Sequence, residues 1–514
     1  MAVERNAAEY LAKAKTCEAA YDLPGAFEAY QTALTLAPDA LEIVQSLANL
    51  AFRLGQWDMA ERFFAHMIKQ GSQDVRTYTA FAATLREQSR YDEAISLLKD
   101  LLWQHPDNSH LWESLGNAVV AKGDVETAII FYSEALRLQP HDLHARLNRG
   151  CAYLDQGNGV AALSDLDMCK DAFTDLDNRA SAQIAFAQAL LWNGDLSEGW
   201  RWYKSRERKG TRLEVFYDLN LPRLPTATKL AHEKLFISLE QGLGDEVLFA
   251  SMLPDIQKEI TSLGHLGIGV EPRLKSLFQR SFPDASVLAH HTKIIDGKLQ
   301  RNVPELISKD YNFWALIGDF FETHRSKLTD FPAKNAYLVP DPDRIIHWKR
   351  QLSLHDPKPK IGLVWKSLKS GAYRDKYFSA FAQWTDILAL DGVTFVNLQY
   401  GNTTEEMAEA KRAGFTIVTP DSIDLKDDLD DLAALCSSMD LILGPSNATS
   451  NIAAACGVPV WFLTAPVNWL RLGQKSYPWY PSVRLFQTPD IKDWTPALDA
   501  MRAALLEHFD LPRL

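Results

Sequence analysis

Cysteine is scarce: five residues in 514 (Cys17, Cys151, Cys169, Cys436 and Cys456), none in a CxxC pair or any ligand-like cluster. That excludes a small disulfide-stapled fold and a cysteine metal centre, and it suits buried thiols in a reducing compartment. A run of about 18 apolar residues is also missing, so no membrane span is expected. The opening stretch MAVERNAAEYLAKAK has acidic residues and no apolar core segment, so no secretory signal is read and a cytoplasmic location is expected. A basic surplus is lacking too. The 54 Lys+Arg against 66 Asp+Glu leave a net charge of −12, which disfavours nucleic acid or anionic membrane as the main partner. What remains is ordinary globular composition, 46% hydrophobic and 23% charged, in a chain too long for one core. At roughly 150 residues per domain it should hold three or four units.

Periodicity organises the first third. LWESLGNAVVAKGDVETAIIFYSEALRLQP carries Trp112, Leu115, Gly116, Ala128, Tyr132, Ala135 and Pro140. Steps of 34 from Ala128 reach Ala26, Ala60, Ala94 and Ala162, and the same steps from Gly116 reach Ala14, Ala48, Ala82 and Gly150. Pro38, Pro106 and Pro140 end units, with Ser72 and Thr174 in that place elsewhere. The offsets resemble the tetratricopeptide (TPR) repeat: five clear units and a degenerate sixth around Gly194, Gly199 and Tyr203, giving a solenoid over 1–208. Small residues belong where paired helices cross closely, and each pair needs neighbours to cover its apolar face. First helices of such pairs line a concave groove. Gln45, Asn49, Arg86, Glu113 and Asn117 fall there, placed either to hold a peptide backbone or merely as solvated polar positions.

After a connector at 209–231 with prolines and no periodicity, short apolar runs alternate with amphipathic stretches, the pattern of α/β units with parallel strands. Strands are predicted at 235–240, 265–270 and SVLAH, with a helix over about 246–260. A second series lies at 360–365, 395–400, 416–420, 441–444 and 458–463, with a closing helix near 493–508. The Pro- and charge-rich stretch VPDPDRIIHWKRQLSLHDPKPK reads as a hinge between halves at 232–345 and 358–514. Two Rossmann-like halves of similar size suggest the twin-domain GT-B architecture, with ligands at the carboxyl ends of strands. The whole chain is thus α + α/β.

Candidate chemistry sits at those strand ends. Gln241-Gly242-Leu243-Gly244-Asp245 follows a strand and opens a helix, so its glycines admit a ligand to the backbone. Asp245 is placed either as a general base for an acceptor hydroxyl or as an N-cap residue satisfying the first amides of the helix, and both roles are compatible. Ser446, Asn447, Ala448, Thr449, Ser450 and Asn451 precede a second helix. They offer free amides and small polar side chains to a diphosphate, or else form an elaborate cap. Lys366, Ser367, Lys369 and Arg374 follow another strand, where the cations face a leaving phosphate or form a solvated basic loop. Gln399 and Tyr400 end a further strand, suited to a nucleobase or to core packing. The acidic run Asp427–Asp431 reads better as a helix start than as a metal site, and His290-His291 lacks ligand partners, so no metal is assigned.

The ordered set LEQGLGDEVLFASMLP, IGLVWKS, FVNLQYG, DLDDLAALCSSMDLILG, NIAAACGVPVWFL and YPWYPSVRLF resembles bacterial TPR-containing glycosyltransferases. Their catalytic part is similar to ADP-heptose heptosyltransferases and, more remotely, to O-GlcNAc transferase. The resemblance spans nearly the whole chain. It implies a GT-B fold with an acceptor-side first half and a nucleotide-sugar-side second half, no obligatory catalytic metal or other cofactor, and a nucleotide-sugar co-substrate. It places the base on Asp245 and the basic group on Lys366. Some alphaproteobacterial relatives modify flagellin, so the implied reaction is sugar transfer to Ser or Thr of a protein held by the solenoid. A lipid or polysaccharide acceptor, or a non-catalytic scaffold, are the alternatives. Heptosyltransferase-like chains carry Asp-Thr-x-x-x-His where Ser446, Asn447 and Asn451 stand here. That departure argues away from ADP-heptose and leaves UDP-N-acetylhexosamine or a CMP-linked nonulosonic acid open.

Overall fold

The computed structural model describes the chain except residues 1, 21, 39, 212, 227, 261–262, 296–297, 309, 333–335, 355, 368–376 and 513–514; for residues 2–5 and 308 only the backbone is described. Its first 203 residues form helix pairs α1/α2 (Ala2–Ala19, Leu23–Leu36), α3/α4 (Leu41–Arg53, Trp57–Lys69) and α5/α6 (Val75–Glu87, Tyr91–Gln104). Three more follow: α7/α8 (Ser109–Ala121, Val125–Leu138), α9/α10 (Leu143–Asp155, Gly159–Cys169) and α11/α12 (Leu176–Trp192, Leu196–Tyr203). Asp or Asn at the N-caps of α2, α5 and α7–α12 accepts the first free amides. The small residues have a steric reason. A Cβ on Gly116 would stand 2.5 Å from the Tyr132 ring, and one on Gly150 would stand 2.8 Å from Leu166. The facing alanines 26, 60, 94, 128 and 162 are fully buried.

The α/β part holds two parallel sheets. The first contains β2 (Lys234–Ser238), β3 (His265–Val270), β4 (Ser286–Ala289) and β7 (Phe313–Leu316), in the order β4-β3-β2-β7. The second contains β8 (Lys360–Leu363), β9 (Thr394–Asn397), β10 (Ile417–Val418), β11 (Leu441–Gly444), β12 (Val460–Thr464) and β13 (Arg484–Gln487). Its order, β10-β9-β8-β11-β12-β13, is the doubly wound arrangement that reverses at β8, where a crevice opens beyond the strand ends. Strands β8 and β11 are buried along their whole length, as parallel strands covered on both faces should be. A helix Thr495–His508 closes the chain.

Three expectations change. The connector is ordered: β1 (Val215–Asp218) pairs with β6 (Lys298–Asn302), which also pairs with β5 (His291–Ile295). The Trp314 amide then donates to the Pro222 carbonyl at 3.0 Å, tying the connector to the first sheet. The hinge stretch contains a helix, Pro342–Ser353, capped by Asp341 and held where Arg344 Nε donates to Asp431 at 2.7 Å and Trp348 Nε1 donates to the same carboxylate. The helix expected over 246–260 is interrupted. It runs over Leu243–Phe249, tightens at Ala250–Met252, and resumes at Leu253–Glu259 with Pro254 in its first turn.

The solenoid is joined to the α/β part through a shared core. Leu191, Leu196, Trp200 and Tyr203 are buried in one apolar cluster with Ile237, Phe249 and Phe321 of the first half and Phe462 and Trp479 of the second. The Arg206 guanidinium, just past α12, donates to Glu240 at the end of β2 at 2.7 Å. Lys492 Nζ donates to Asp124 at 2.9 Å, binding the far end of the second half to the fourth helix pair. The groove is therefore fixed relative to the strand ends.

Candidate functional site

A cavity of about 560 Å³ lies between the halves, and the segments after seven strands reach it. The first half contributes Gly242–Asp245 after β2 and Arg273 after β3. The second contributes Ser367 after β8, Tyr400 after β9, Lys426 after β10, Ser446–Thr449 and Asn451 after β11, and Asn468 and Leu470 after β12. The two key loops touch: a Cβ on Gly244 would lie 3.5 Å from the Ala448 amide nitrogen, ordinary van der Waals contact. The helix Ala448–Ala455 thus presents its N-terminal end across from Asp245, and that end favours an arriving anion.

The loop after β2 is held from below. Glu240, almost fully buried, accepts from Arg206 and from the Gly318 amide at 3.0 Å. Gln241 then takes a left-handed conformation, φ +72, with its side chain turned out to solvent. It does not line the cavity, so its sequence-based placement in the cleft is corrected: its backbone makes the turn. The N-cap is Gly242 and not Asp245, which lies in the first turn, where its Oδ2 accepts the Gly242 amide at 3.2 Å while the residue also forms cavity wall. Next to it Glu246 is buried, accepting the Glu271 amide at 2.9 Å and bonded to His290 Nε2 at 2.8 Å. That pairing occupies the imidazole that the sequence left without a role.

On the second half, Asn447 Oδ1 accepts the Ser450 amide at 3.1 Å while Ser450 Oγ accepts the Asn447 amide at 2.9 Å, a reciprocal cap. Ser450 is fully buried and donates onward to the Pro445 carbonyl at 2.7 Å, so it supports the loop and does not face the cavity. Asn451 donates to the Asn447 carbonyl at 2.7 Å and to Ser446 Oγ at 3.2 Å. The three residues that replace Asp-Thr-x-x-x-His therefore hold one another in place. Ser446, Ala448 and Thr449 remain on the wall.

Two other expectations are corrected by tertiary partners. Gln399 is buried, its Oε1 accepting the Trp365 and Lys366 amides at 3.0 and 2.9 Å, and it clamps two strand ends instead of meeting a ligand. Lys366 Nζ is paired with Glu406 and is not on the cavity wall. Burial works to raise the Glu406 carboxyl, yet hydrogen bonds, foremost from Lys366, hold it below its ordinary value. Lys369 and Arg374 lie outside the described residues. Among the described residues, the cations that line the cavity are Arg273 and Lys426, which the sequence reading missed. The rule that found Asp245 would have found them, because GIGVEPR and TIVTPDSIDLK also run past the carboxyl ends of strands. Arg273 crosses between the halves, donating to the Lys426 carbonyl at 2.8 Å and pairing with Asp427. Arg280 and Asp430 form a second clamp at 2.7 Å, so the acidic run is a structural seam.

In the solenoid, Arg86 and Asn117 line a groove cavity of about 220 Å³ together with Tyr132, Asn148, Cys151 and Asp155. Asn117 Oδ1 accepts from the Tyr132 hydroxyl at 2.8 Å and from Asn148 Nδ2 at 3.1 Å. Glu113 lies one turn away, accepting from Asn148 at 3.0 Å. Gln45 and Asn49 are on α3, away from this cavity. A third cavity, about 360 Å³, adjoins both: it shares Cys151 and Asp155 with the groove, and Phe378, Ser446 and Asn468 with the interdomain cavity.

Fold and site define a class: a repeat solenoid built into a two-domain α/β protein whose strand ends surround one interdomain cavity. The tetratricopeptide repeat model matches residues 79–142. The chain belongs to the family of protein FlbA from Caulobacter vibrioides, with 42% identity over 486 residues, 94% of this chain and 81% of that relative. Among solved structures it is similar to a thermophilic TPR protein of Thermus thermophilus (22% identity, TM-score 0.31, 36% of this chain and 99% of that one). It is also similar to a family 9 glycosyl transferase of Veillonella parvula (12% identity, TM-score 0.35, 51% of this chain and 88% of that one).

Proposed function

We propose that the protein is a GT-B-type glycosyltransferase that moves a sugar from a nucleotide-sugar donor to Ser or Thr hydroxyls of a protein held in its solenoid. The observation that carries this is the series of three cavities from the Asn117–Asn148 groove to Asp245, each sharing wall residues with the next. A groove fixed rigidly to the cleft suits an extended acceptor segment whose hydroxyl must arrive beside the donor. The donor diphosphate would lie over the Ala448 helix end, near Arg273 and Lys426, with Tyr400 available to a base. Asp245 would take the hydroxyl proton as the new oxygen–carbon bond forms and the nucleotide leaves with the old bond's electrons. No cofactor beyond the nucleotide sugar enters this scheme. Flagellin is the acceptor to try first, on the strength of the resemblance.

The test is a thermal-shift screen of UDP-, CMP-, GDP- and ADP-sugars on the full chain, followed by intact-mass measurement of the acceptor with the donor that stabilises. No stabilisation by any donor sinks the donor site, and no added mass on any protein acceptor sinks the transfer. Two variants probe the parts. Lys426 is exposed, so Lys426→Gln should weaken donor binding about 3–10-fold at low salt and much less at high salt, read by titration calorimetry. The double variant Asn117→Ala, Asn148→Ala should raise KM for the polypeptide acceptor about 10-fold, the loss of roughly 1–2 kcal/mol of hydrogen bonding, with KM for the donor unchanged.

A further inference from the structure

We propose that His110, Glu113 and Asp142 form a divalent-cation site of zinc-like chemistry at the rim of the solenoid groove. His110 and Glu113 are one turn apart on α7, and Asp142 is the N-cap of α9 in the next repeat. One donor atom from each of the three lies within 4.8 Å of the others.

The chemistry of the Asp142 side chain suits a cation at this place. Asp142 is 7% exposed, and its Oδ1 accepts the His144 and Ala145 amides at 3.0 and 3.1 Å. Its Oδ2 is buried and has no hydrogen-bond partner among the described residues. A buried carboxylate oxygen with nothing to bind is costly unless a cation or donor arrives. Glu113 brings a second carboxylate to the same place, with Oε1 fixed by Asn148 at 3.0 Å and Oε2 3.9 Å from His110 Nδ1. Among the described residues no lysine or arginine pairs with either carboxylate, and the ion pair at Glu113 is with the His110 imidazole.

One imidazole and two carboxylates are a zinc donor set, and three protein ligands leave a coordination position open. At metal–ligand distances of about 2.0–2.2 Å, tetrahedral ligands sit roughly 3.3–3.5 Å apart, so the present spacing must tighten by up to about 1.5 Å. His110, with a side chain 68% exposed, is free to make that move. A bound ion would bridge α7 to α9 one turn from Asn117 and Asn148, stiffening the groove at its narrow polar stretch. Sequence reading could not assemble this set, because Asp142 belongs to a different repeat.

The test uses the full chain, stripped with a chelator and titrated with Zn2+ in competition with a chromophoric chelator. Wild type should bind about one Zn2+ per chain at the site and gain thermal stability from it. His110→Ala, Glu113→Gln and Asp142→Asn should each weaken that binding about 10-fold or more, and Asn at 142 keeps the helix cap so that folding is preserved. Failure of wild type to bind Zn2+ at micromolar concentration overturns the site, as does unchanged affinity in the three variants. Stabilisation by a lysine-rich peptide and not by Zn2+ also overturns it, assigning the pair of carboxylates to a basic partner. None of these readouts involves sugar transfer, so this site and the proposed activity stand or fall separately.

Discussion

Replacing Trp200 by Ala destabilises the chain by about 3–5 kcal/mol, the cost of deleting a large buried aromatic. The expectation is large because three bodies meet on this one side chain. Trp200 is 1% exposed at the end of the solenoid, and its ring stacks on Phe321 of the first half with centroids 4.4 Å apart. Trp469 and Trp479 of the second half approach edge-on at 6.3 and 6.2 Å. Its Nε1 donates to the Arg325 carbonyl at 2.8 Å, so the cavity left by Ala also strands a buried acceptor. Urea unfolding followed by far-ultraviolet circular dichroism reads both amount and pattern. Wild type should unfold its last helix pair together with the α/β halves, whereas Trp200→Ala should separate a solenoid transition from an α/β transition. A variant within about 1 kcal/mol of wild type would show that the shared core is not what joins them. The same geometry bears on truncation. Removing residues 1–200 deletes Trp200, Leu196 and Leu191 from the shared core, so loss of activity on that deletion says nothing about acceptor capture. A cut that spares residues 176–208 keeps the core and isolates the groove.

Much of this was legible in the sequence because it rests on local sterics. The 34-residue step of Ala and Gly marks helix crossings where Gly116 meets Tyr132 and Gly150 meets Leu166, and a side chain of any size would collide. Strands such as LILG read as apolar runs because helices cover both faces of a parallel sheet. The hairpin β5–β6 was invisible for the converse reason: HTKII is exposed along its whole length and KLQRN carries two cations, so neither shows an apolar run. The helix at Pro342 did have a signal, Asp341 then Pro342 in the N-cap and first-turn positions, masked by the surrounding prolines and charges. In the site, identity was legible and partnership was not. Lys366 follows a strand as a phosphate ligand should, but Glu406, 40 residues on, takes its charge. Gln399 turns inward to two amides 33 and 34 residues away. Such long-range pairings have no spacing rule, whereas the place of Asp245, Ser446 and Thr449 on the cavity wall follows from their position just past strand ends.

Asp245→Asn should lower kcat for sugar transfer about 10²–10⁴-fold, the contribution of a positioned general base, while leaving donor affinity unchanged. Asn is the informative replacement because the proposed base also accepts a hydrogen bond that shapes its own turn. Its Oδ2 accepts the Gly242 amide at 3.2 Å, and an Asn carbonyl oxygen can do the same, so the turn that places Gly244 against Ala448 survives. What Asn cannot do is accept a proton from an acceptor hydroxyl. Asp245→Ala loses that hydrogen bond as well, at about 0.5–2 kcal/mol, and should therefore show both inactivity and a lower melting temperature. Among the described residues, the nearby candidates for a substitute base are otherwise engaged. Burial pushes the phenols of Tyr203 and Tyr477 far above their ordinary value, and the Asp245 charge raises both further. Neither tyrosine is an anion at neutral pH, and Glu246 is engaged by His290 and the Glu271 amide. Single-turnover transfer measured beside donor titration separates the outcomes. Wild-type rates in Asp245→Asn would remove the base from this residue, and a weakened donor with an unchanged chemical step would move Asp245 to the donor subsite. Loss of the chemical step alone, with the melting temperature kept, is what a carboxylate facing the Ala448 helix end across one cavity should give.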